Sequence, residues 1–365
     1  MSEASEKRIL LTGGGSAGHV TPNLALIDAL IGEGWEVHYA GSAEGIERRL
    51  VEGKVSAYHV VPVGKLRRYF SFENLRDGLR VLHGLWVGWR LLGRLRPKVI
   101  FSKGGFVSVP AVVGGALRGI PVLAHESDFS PGLATRLVAP FVTTVCTTFR
   151  ETRVPRARQL RFVGSPLRPA LQAGDRARGL AFLRFSGERP ILLVVGGSLG
   201  ATALNAALRA QLEVLTARYD IVHLCGAGKE NPTLEGPAYR QYAYLDEAYG
   251  DVLAAADRVV SRAGANGLFE LLALRKISLL VPLGRGASRG DQLENSAWAR
   301  AQGYALTVQE AALGKDGLDQ ALAALETQAP VLAKALEGFE VPDALAEVMA
   351  MLRPYGASSR KVRLI

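Results

Sequence analysis

The stretch LLTGGGSAGHVTPNLAL, residues 10–26, decides how the amino-terminal half of the chain folds. An apolar run enters a loop in which Gly13, Gly15 and Gly18 have the spacing G-x-G-x-x-G, and an apolar segment suited to a helix follows. Glycine lets the backbone turn tightly, and the amides at the next helix's amino end attract oxyanions. A dinucleotide enzyme also needs an acidic residue at the end of the second strand to hold ribose hydroxyls. That strand, WEVHYAGS, ends in Ala40, Gly41 and Ser42, and Glu44 comes only later in the loop. The dehydrogenase reading is therefore disfavoured. A Walker loop is excluded because no Lys follows the glycines. His19 lies at the start of the expected helix, where the positive end of the helix dipole disfavours an imidazolium and leaves a neutral ring able to accept a proton. A general base is the sharper reading of His19, and a capping or packing residue the plainer one.

Working outward, PKVIFSKGG, IPVLAHESD and VTTVCTT read as further strands, each short, apolar and followed by a loop. The arrangement restarts after residues 164–186, which are rich in Pro, Gly and Arg. PILLVVGGSLG repeats the strand and glycine loop, TALNAALRAQLEVL reads as helix, and YDIVHLCGAG, RVVSRAG and SLLVPLG as strands. The expectation is an α/β protein of two Rossmann-like domains facing across a cleft, with ligands at the carboxyl ends of the strands. The expected boundaries are 1–163, a linker at 164–186, a second domain at 187–340, and a carboxyl-terminal helix and basic tail at 341–365. A single sheet of about twelve strands is the alternative, disfavoured by usual sheet sizes.

The chain has 365 residues, 48% hydrophobic and 21% charged, enough for two ordinary cores. Cys146 and Cys225 each sit in an apolar run, with neither disulfide framework nor zinc spacing, which suggests reduced thiols and a cytosolic compartment. No signal core or membrane-length apolar run is present. Net charge is +10, so an anionic partner is expected. Nine Lys or Arg against Glu73 and Asp77 between Lys65 and Lys98 give one segment a local charge of +7. A nucleic-acid partner would call for aromatic residues on a strand platform; Trp86 and Trp89 are spaced for a helix face instead, so none is expected.

Gly196–Asn205 repeats the anion cradle with Ser198 as an added hydroxyl donor, and VVSRAGANGLFELLAL places Arg262 and Glu270 just past a strand end. There a carboxylate can grip two ribose hydroxyls; an ordinary charge on a helix face is the other reading of Glu270. HESD at 125–128 begins like a zinc site but has no second His in place, and no Asp-x-Asp pair occurs, so no metal or cofactor is expected. A diphosphate would have to be held by amides and basic side chains.

The motifs GGGSAGHVTPNLA, KGGFVSVP, GIPVLAHESDFSPGLATR, VGSPLRP, GGSLGA, SRAGANGLFELLAL and SRGDQLENS, in that order, resemble the MurG family of peptidoglycan N-acetylglucosaminyltransferases, which convert lipid I to lipid II. The resemblance runs nearly the whole length. It implies a GT-B glycosyltransferase, metal-independent and inverting, that takes UDP-N-acetylglucosamine mainly in its carboxyl-terminal domain. Carried over by position, Ser16, Ala17 and Gly18 line the loop beside the transferred sugar, and Arg168 and Ser198 approach the donor diphosphate. Leu245 contacts uracil, while Arg262 and the run Ala265, Asn266, Gly267, Leu268, Phe269 and Glu270 surround the nucleoside, with Glu270 on the ribose. Gln292 meets the sugar hydroxyls. Gly14, Gly15, Gly104 and Gly105 are the implied acceptor-diphosphate loops, and Asp128 ranks below His19 as base. Many members carry Asn where this chain has Asp128, Gln where it has Leu199, and a paired Gln where it has Asp291.

A polyprenyl-linked acceptor implies work at the cytoplasmic face of the cell membrane, in company with cell-wall or division proteins. Leu75, Leu79, Leu82, Trp86 and Trp89 recur at steps of four and three, and Arg76, Arg80, Arg90 and Arg94 flank them. Such a face suits either an anionic lipid surface or the domain's own core; the local charge favours the lipid.

Overall fold

The computed structural model describes residues 7–62, 73–197, 200–284 and 289–357, without the side chains of Ala17 and of residues 73–80. The chain divides into two compact units, Met1–Pro166 with Pro342–Ile365, and Leu167–Val341.

The first unit holds seven parallel strands: β1 (Arg8–Thr12), β2 (Glu36–Gly41), β3 (Ala57–Val60), β4 (Val99–Ser102), β5 (Val122–Glu126), β6 (Thr144–Thr147) and β7 (Leu160–Phe162). Their order is β3-β2-β1-β4-β5-β6-β7. The second holds six, β8 (Ile191–Val195), β9 (Asp220–Leu224), β10 (Tyr239–Tyr242), β11 (Arg258–Ser261), β12 (Ser278–Leu280) and β13 (Leu306–Thr307), in the order β10-β9-β8-β11-β12-β13. Both sheets are Rossmann-like. In each, the strand that runs into a glycine loop lies where the order reverses, β1 between β2 and β4 and β8 between β9 and β11. Such reversal points leave a crevice at the carboxyl ends of the strands, and the two loops of the sequence reading sit there.

Strand alternation explains why both sheet faces are covered. Ile9 and Leu11 join one buried cluster and Leu10 another, as successive side chains of a strand point to opposite faces. The first cluster is completed by the carboxyl-terminal helix Ala344–Gly356, whose Val348, Met349 and Leu352 are buried beside Ile27 and Trp35.

One stretch differs from the sequence reading. Residues 167–186, read as part of a linker, belong to the second unit. They contain the helices Pro169–Gln172 and Arg176–Leu183; the latter packs on Tyr249–Ala255, with Gly179 against the Asp251 carbonyl. The arginines that suggested a linker pair with that unit's own acids, Arg178 with Asp251 at 2.7 Å and Arg176 with Asp257 at 3.0 Å. The helix Glu73–Leu95 packs through glycines: a Cβ on Gly84 would lie 2.4 Å from the Pro62 carbonyl oxygen, and one on Gly88 2.7 Å from that of Pro110. Leu91, Leu92 and Leu95 enter the core on that side. Leu82, Trp86 and Trp89 are left 64%, 53% and 43% exposed. The side chains of Leu75 and Leu79, residues 63–72 and the basic tail from 358 lie outside the described residues. Among those described, no helix is long and apolar enough to cross a membrane.

Candidate functional site

In the first unit three loops meet beyond β1, β4 and β5. His19 ends a short 3₁₀ turn, Ala17–His19, two residues before the helix Thr21–Gly32, so it stands at the helix start as read from the sequence. Its ring borders the second glycine loop: a Cβ built on Gly104 would lie 3.8 Å from His19 Nδ1, and one on Gly105 3.5 Å from Cδ2 and 2.4 Å from the Gly14 carbonyl oxygen. Gly104 and Gly105 have φ of 90° and 78°, a backbone that favours glycine, so both the close approach and the turn require it there. The structure thus brings His19, Gly14, Gly104 and Gly105 together. Ser16 and Gly18 are exposed on the same loop, and the backbone of Ala17 lies in the 3₁₀ turn.

The Gly15 amide donates to Glu47 Oε2 at 3.2 Å, and the other carboxylate oxygen accepts from the Ser42 amide and hydroxyl at 3.0 and 2.5 Å. Glu47 is fully buried. Burial pushes its carboxyl up, yet the Ser42 and Gly15 donors outweigh this and hold it below the usual range. The sequence reading did not single Glu47 out. Its only signal was an acidic residue soon after the second strand, and Glu44 drew the attention instead.

Asp128 follows β5, its amide bonded to Glu126 Oε1 at 3.1 Å, while Glu126 Oε2 accepts from the Gly132 amide at 3.0 Å. Glu126 therefore shapes the loop that carries Asp128. Beneath it, Lys103 Nζ lies 2.6 Å from His125 Nδ1 and bonds Ser127 Oγ. Neither Lys103 nor His125 was expected as a site residue.

In the second unit, Arg168 pairs with Asp246 at 2.9 Å, beside the buried Leu245. Glu270 is half-buried on the helix Ala265–Ala273. Desolvation pushes its carboxyl up to about 7, against a pull downward from the Arg168 charge. That helix begins at Gly264 with no side-chain cap, and a Cβ on Gly264 or Gly267 would meet nothing within 4 Å. Leu268 and Phe269, read as nucleoside contacts, are buried instead, with Phe269 stacked on Trp298 at 5.9 Å. Arg262 is also committed elsewhere: it is buried, donates to the Val281 carbonyl at 3.1 Å and is ion-paired with Glu310. Side chains on the inner face of a nine-residue helix cannot also face a ligand; Ala265 is buried on that face too, which leaves Asn266, Gly267 and Glu270 as the outward set. Gln292, in the first turn of Asp291–Ala301, accepts from the Leu283 amide at 3.0 Å. Ser198 and Leu199 lie outside the described residues.

Comparison with known proteins accords with this arrangement. Residues 9–147 match the glycosyltransferase family 28 N-terminal domain and residues 191–348 its C-terminal domain. The chain is 44% identical over 351 residues to the UDP-N-acetylglucosamine--N-acetylmuramyl-(pentapeptide) pyrophosphoryl-undecaprenol N-acetylglucosamine transferase of Geobacillus kaustophilus, covering 95% of this chain and 98% of that one. The Legionella pneumophila (strain Lens) protein of the same name is 43% identical over 348 residues, 94% and 96% of the two chains. Among solved structures, MurG of Acinetobacter baumannii aligns with a TM-score of 0.76 at 23% identity, over 95% of this chain and 99% of that one. The calicheamicin glycosyltransferase CalG4 aligns with 0.66 at 15%, over 96% and 98%; these two likenesses speak to the fold alone. Two Rossmann-like units, glycine loops at both reversal points and near full-length identity above 40% lead to one conclusion: the chain belongs to the MurG family of N-acetylglucosaminyltransferases, within glycosyltransferase family 28.

Proposed function

We propose that this protein transfers N-acetylglucosamine from UDP-N-acetylglucosamine to the C4 hydroxyl of the muramoyl group of lipid I, forming lipid II. The observation that carries the reading is the 44% identity, over 95% of the chain, to a relative named for that transfer. In this mechanism His19 takes the proton of the C4 hydroxyl as that oxygen attacks the anomeric carbon. UDP departs, and inversion turns the α-linked donor into a β-1,4 bond in one displacement. Arg168 and the loop after β8 meet the charge growing on the leaving diphosphate, a preorganised electrostatic contribution of the kind that usually dominates such steps. Glu270 accepts from the ribose hydroxyls, and Leu245 and the amides at the start of Ala265–Ala273 frame the uracil. The border of His19 with Gly104 and Gly105 supports its role, since it sets a base beside the loop read as holding the acceptor diphosphate.

The enzyme works at the cytoplasmic face of the membrane as a peripheral protein. The exposure of Leu82, Trp86 and Trp89 supports this, because these side chains are not consumed by the domain's own core. Arg90 and Arg118 lie over the Trp86 and Trp89 rings at 5.4 and 4.0 Å, an apolar surface edged by cations. The test is to incubate the protein with UDP-N-acetylglucosamine and a lipid I analogue, without added metal. The disaccharide product is expected; transfer from other UDP-sugars in preference, or epimerisation of the donor, would replace this reading with another GT-B activity.

A further inference from the structure

Lys103 is 1% exposed, and the groups bonded to its ammonium among the described residues, His125 and Ser127, carry no negative charge. A buried ammonium is costly unless a counter-charge or a full set of acceptors compensates it. His125 Nε2 lies 2.8 Å from the Gly164 carbonyl, which can only accept, so Nε2 carries the ring proton and Nδ1 presents a lone pair to Lys103 at 2.6 Å. Ser127 Oγ takes a second N–H. The third has no partner among the described residues, and the Glu126 and Asp128 charges act on the ammonium only through space.

The residues that follow Lys103 are Gly104 and Gly105, and the Gly105 amide has no partner among the described residues; that of Gly104 rests on Ser102 Oγ at 3.3 Å. This loop packs against the first glycine loop, where Gly15 is already bonded to a buried carboxylate, Glu47. Two neighbouring loops thus carry opposite buried charges, a carboxylate bonded to Gly15 and an ammonium on the residue that precedes Gly104, the latter partly offset through space by Glu126 and Asp128. The carboxylate on the Gly15 amide disfavours an anion at the first loop, against the acceptor-diphosphate role expected of Gly14 and Gly15, while the Lys103 charge favours one at the second.

We propose that Lys103 is a positioning residue for the acceptor: its ammonium, held by His125 and Ser127 on the residue that precedes Gly104 and Gly105, supplies the charge that holds a diphosphate at that loop. This rests on the reading that the acceptor carries a diphosphate and is glycosylated here. The burial that makes Lys103 costly also makes it titratable, pushed down to about 8 with partial recovery from Glu126 and Asp128. The other titratable groups around it are His125 and Cys146. Burial and the Lys103 charge hold His125 well below its usual range, and burial pushes Cys146 up to about 12, so neither changes charge near pH 8. His19, beside Gly104, governs the acid side as the proposed base. Loss of the Lys103 proton therefore belongs to the alkaline side, and a bound diphosphate moves it to higher pH.

The experiment is steady-state kinetics with a lipid I analogue varied at saturating donor, from about pH 6 to 10, on the wild type, Lys103→Met and Lys103→Arg. Inorganic pyrophosphate serves as a competitor against the acceptor, and UDP affinity is measured in parallel. For the wild type, kcat/KM for the acceptor is expected to fall as the pH rises through about 8, levelling off at the value of the uncharged form, about tenfold or more lower, with UDP affinity unaffected there. Lys103→Met should raise acceptor KM about tenfold or more with a smaller effect on kcat, weaken pyrophosphate competition and abolish the alkaline limb. Lys103→Arg should keep the charge and shift the limb beyond the range. If either variant fails to fold, the wild-type profile decides. A flat wild-type profile from about pH 7 to 9, or unchanged acceptor KM in Lys103→Met, overturns the role of Lys103 while leaving the function intact. Absence of any disaccharide product from the wild type overturns the functional reading itself.

Discussion

The Glu47 carboxylate and the Gly15 amide, 32 residues apart in sequence, form a 3.2 Å hydrogen bond that fixes the first glycine loop from behind. Replacing Glu47 with Gln keeps the shape, removes the charge and sets a donor against the donors of Ser42 and Gly15. A loss of about 1–3 kcal/mol is expected at neutral pH. Because the folded carboxyl is held below its ordinary value of 4.5, its contribution is present above that value and lost as the pH falls through the lower, folded one. Urea unfolding of both proteins should show a stability gap that is widest near pH 7 and closes under acid; a gap independent of pH would contradict the charged role.

His19→Ala should lower turnover by about 10²- to 10⁴-fold, the usual worth of a positioned general base, with donor affinity little changed. The imidazole borders the loop of Gly104 and Gly105, expected to serve the acceptor, so UDP titration calorimetry serves as the control. Turnover at the wild-type rate would take His19 out of the mechanism and leave Asp128 as the next candidate.

Glu270, pushed up to about 7, is expected to make UDP affinity depend on pH. As the pH falls through that value the carboxyl gains a proton and its acceptor strength toward the ribose hydroxyls drops, so binding weakens on the acid side. The same shift has the opposite sense for the free protein. A carboxyl raised on folding costs stability once the pH exceeds its unfolded value, and the full cost is present above about 7. Glu270→Gln should bind UDP more weakly at pH 8, lose the pH dependence and melt higher than wild type at that pH. Calorimetry that finds parallel UDP profiles for the two proteins would remove Glu270 from the ribose.

Trp86→Ser with Trp89→Ser should reduce co-sedimentation with anionic vesicles while folding and UDP binding persist. Both rings are largely exposed, and the cation–π contact that Trp89 makes with Arg118 contributes about 0.5–1 kcal/mol at such a site. Undiminished sedimentation would place docking elsewhere on the surface.

What the sequence made legible follows from where the signals lie. Strands β1, β4, β5, β6, β8, β9, β11 and β12 are short apolar runs because they are central and covered on both faces. The edge strands β3, β7, β10 and β13, with sequences such as AYHV, LRF and YRQY, keep polar residues and left no such trace. His19 was legible because its helix start is local. Glu47 and Lys103 were not, since a buried charge is recognised only by partners brought in from distant strands. Arg262 shows the converse: its place after a strand suggested a ligand contact, and Glu310, 48 residues onward, takes its guanidinium. Phe269 misled for a geometric reason, lying one turn beyond the buried Ala265 on the face that stacks against Trp298.

The helix Ala344–Gly356 follows the whole of the second unit in sequence, yet it belongs to the core of the first. Val348, Met349 and Leu352 cover Trp35 and Val37, Arg353 reaches Glu33 at 2.7 Å, and Glu347 pairs with Arg161 at 2.6 Å. During synthesis the amino-terminal sheet therefore waits with one apolar face uncovered until residues 344–356 have been made, a nascent-chain state that exposes hydrophobic surface to chaperones. A gene fragment ending at Pro166 would leave that face uncovered for good, so the first unit is expressed in sealed form only by joining residues 342–357 back to it.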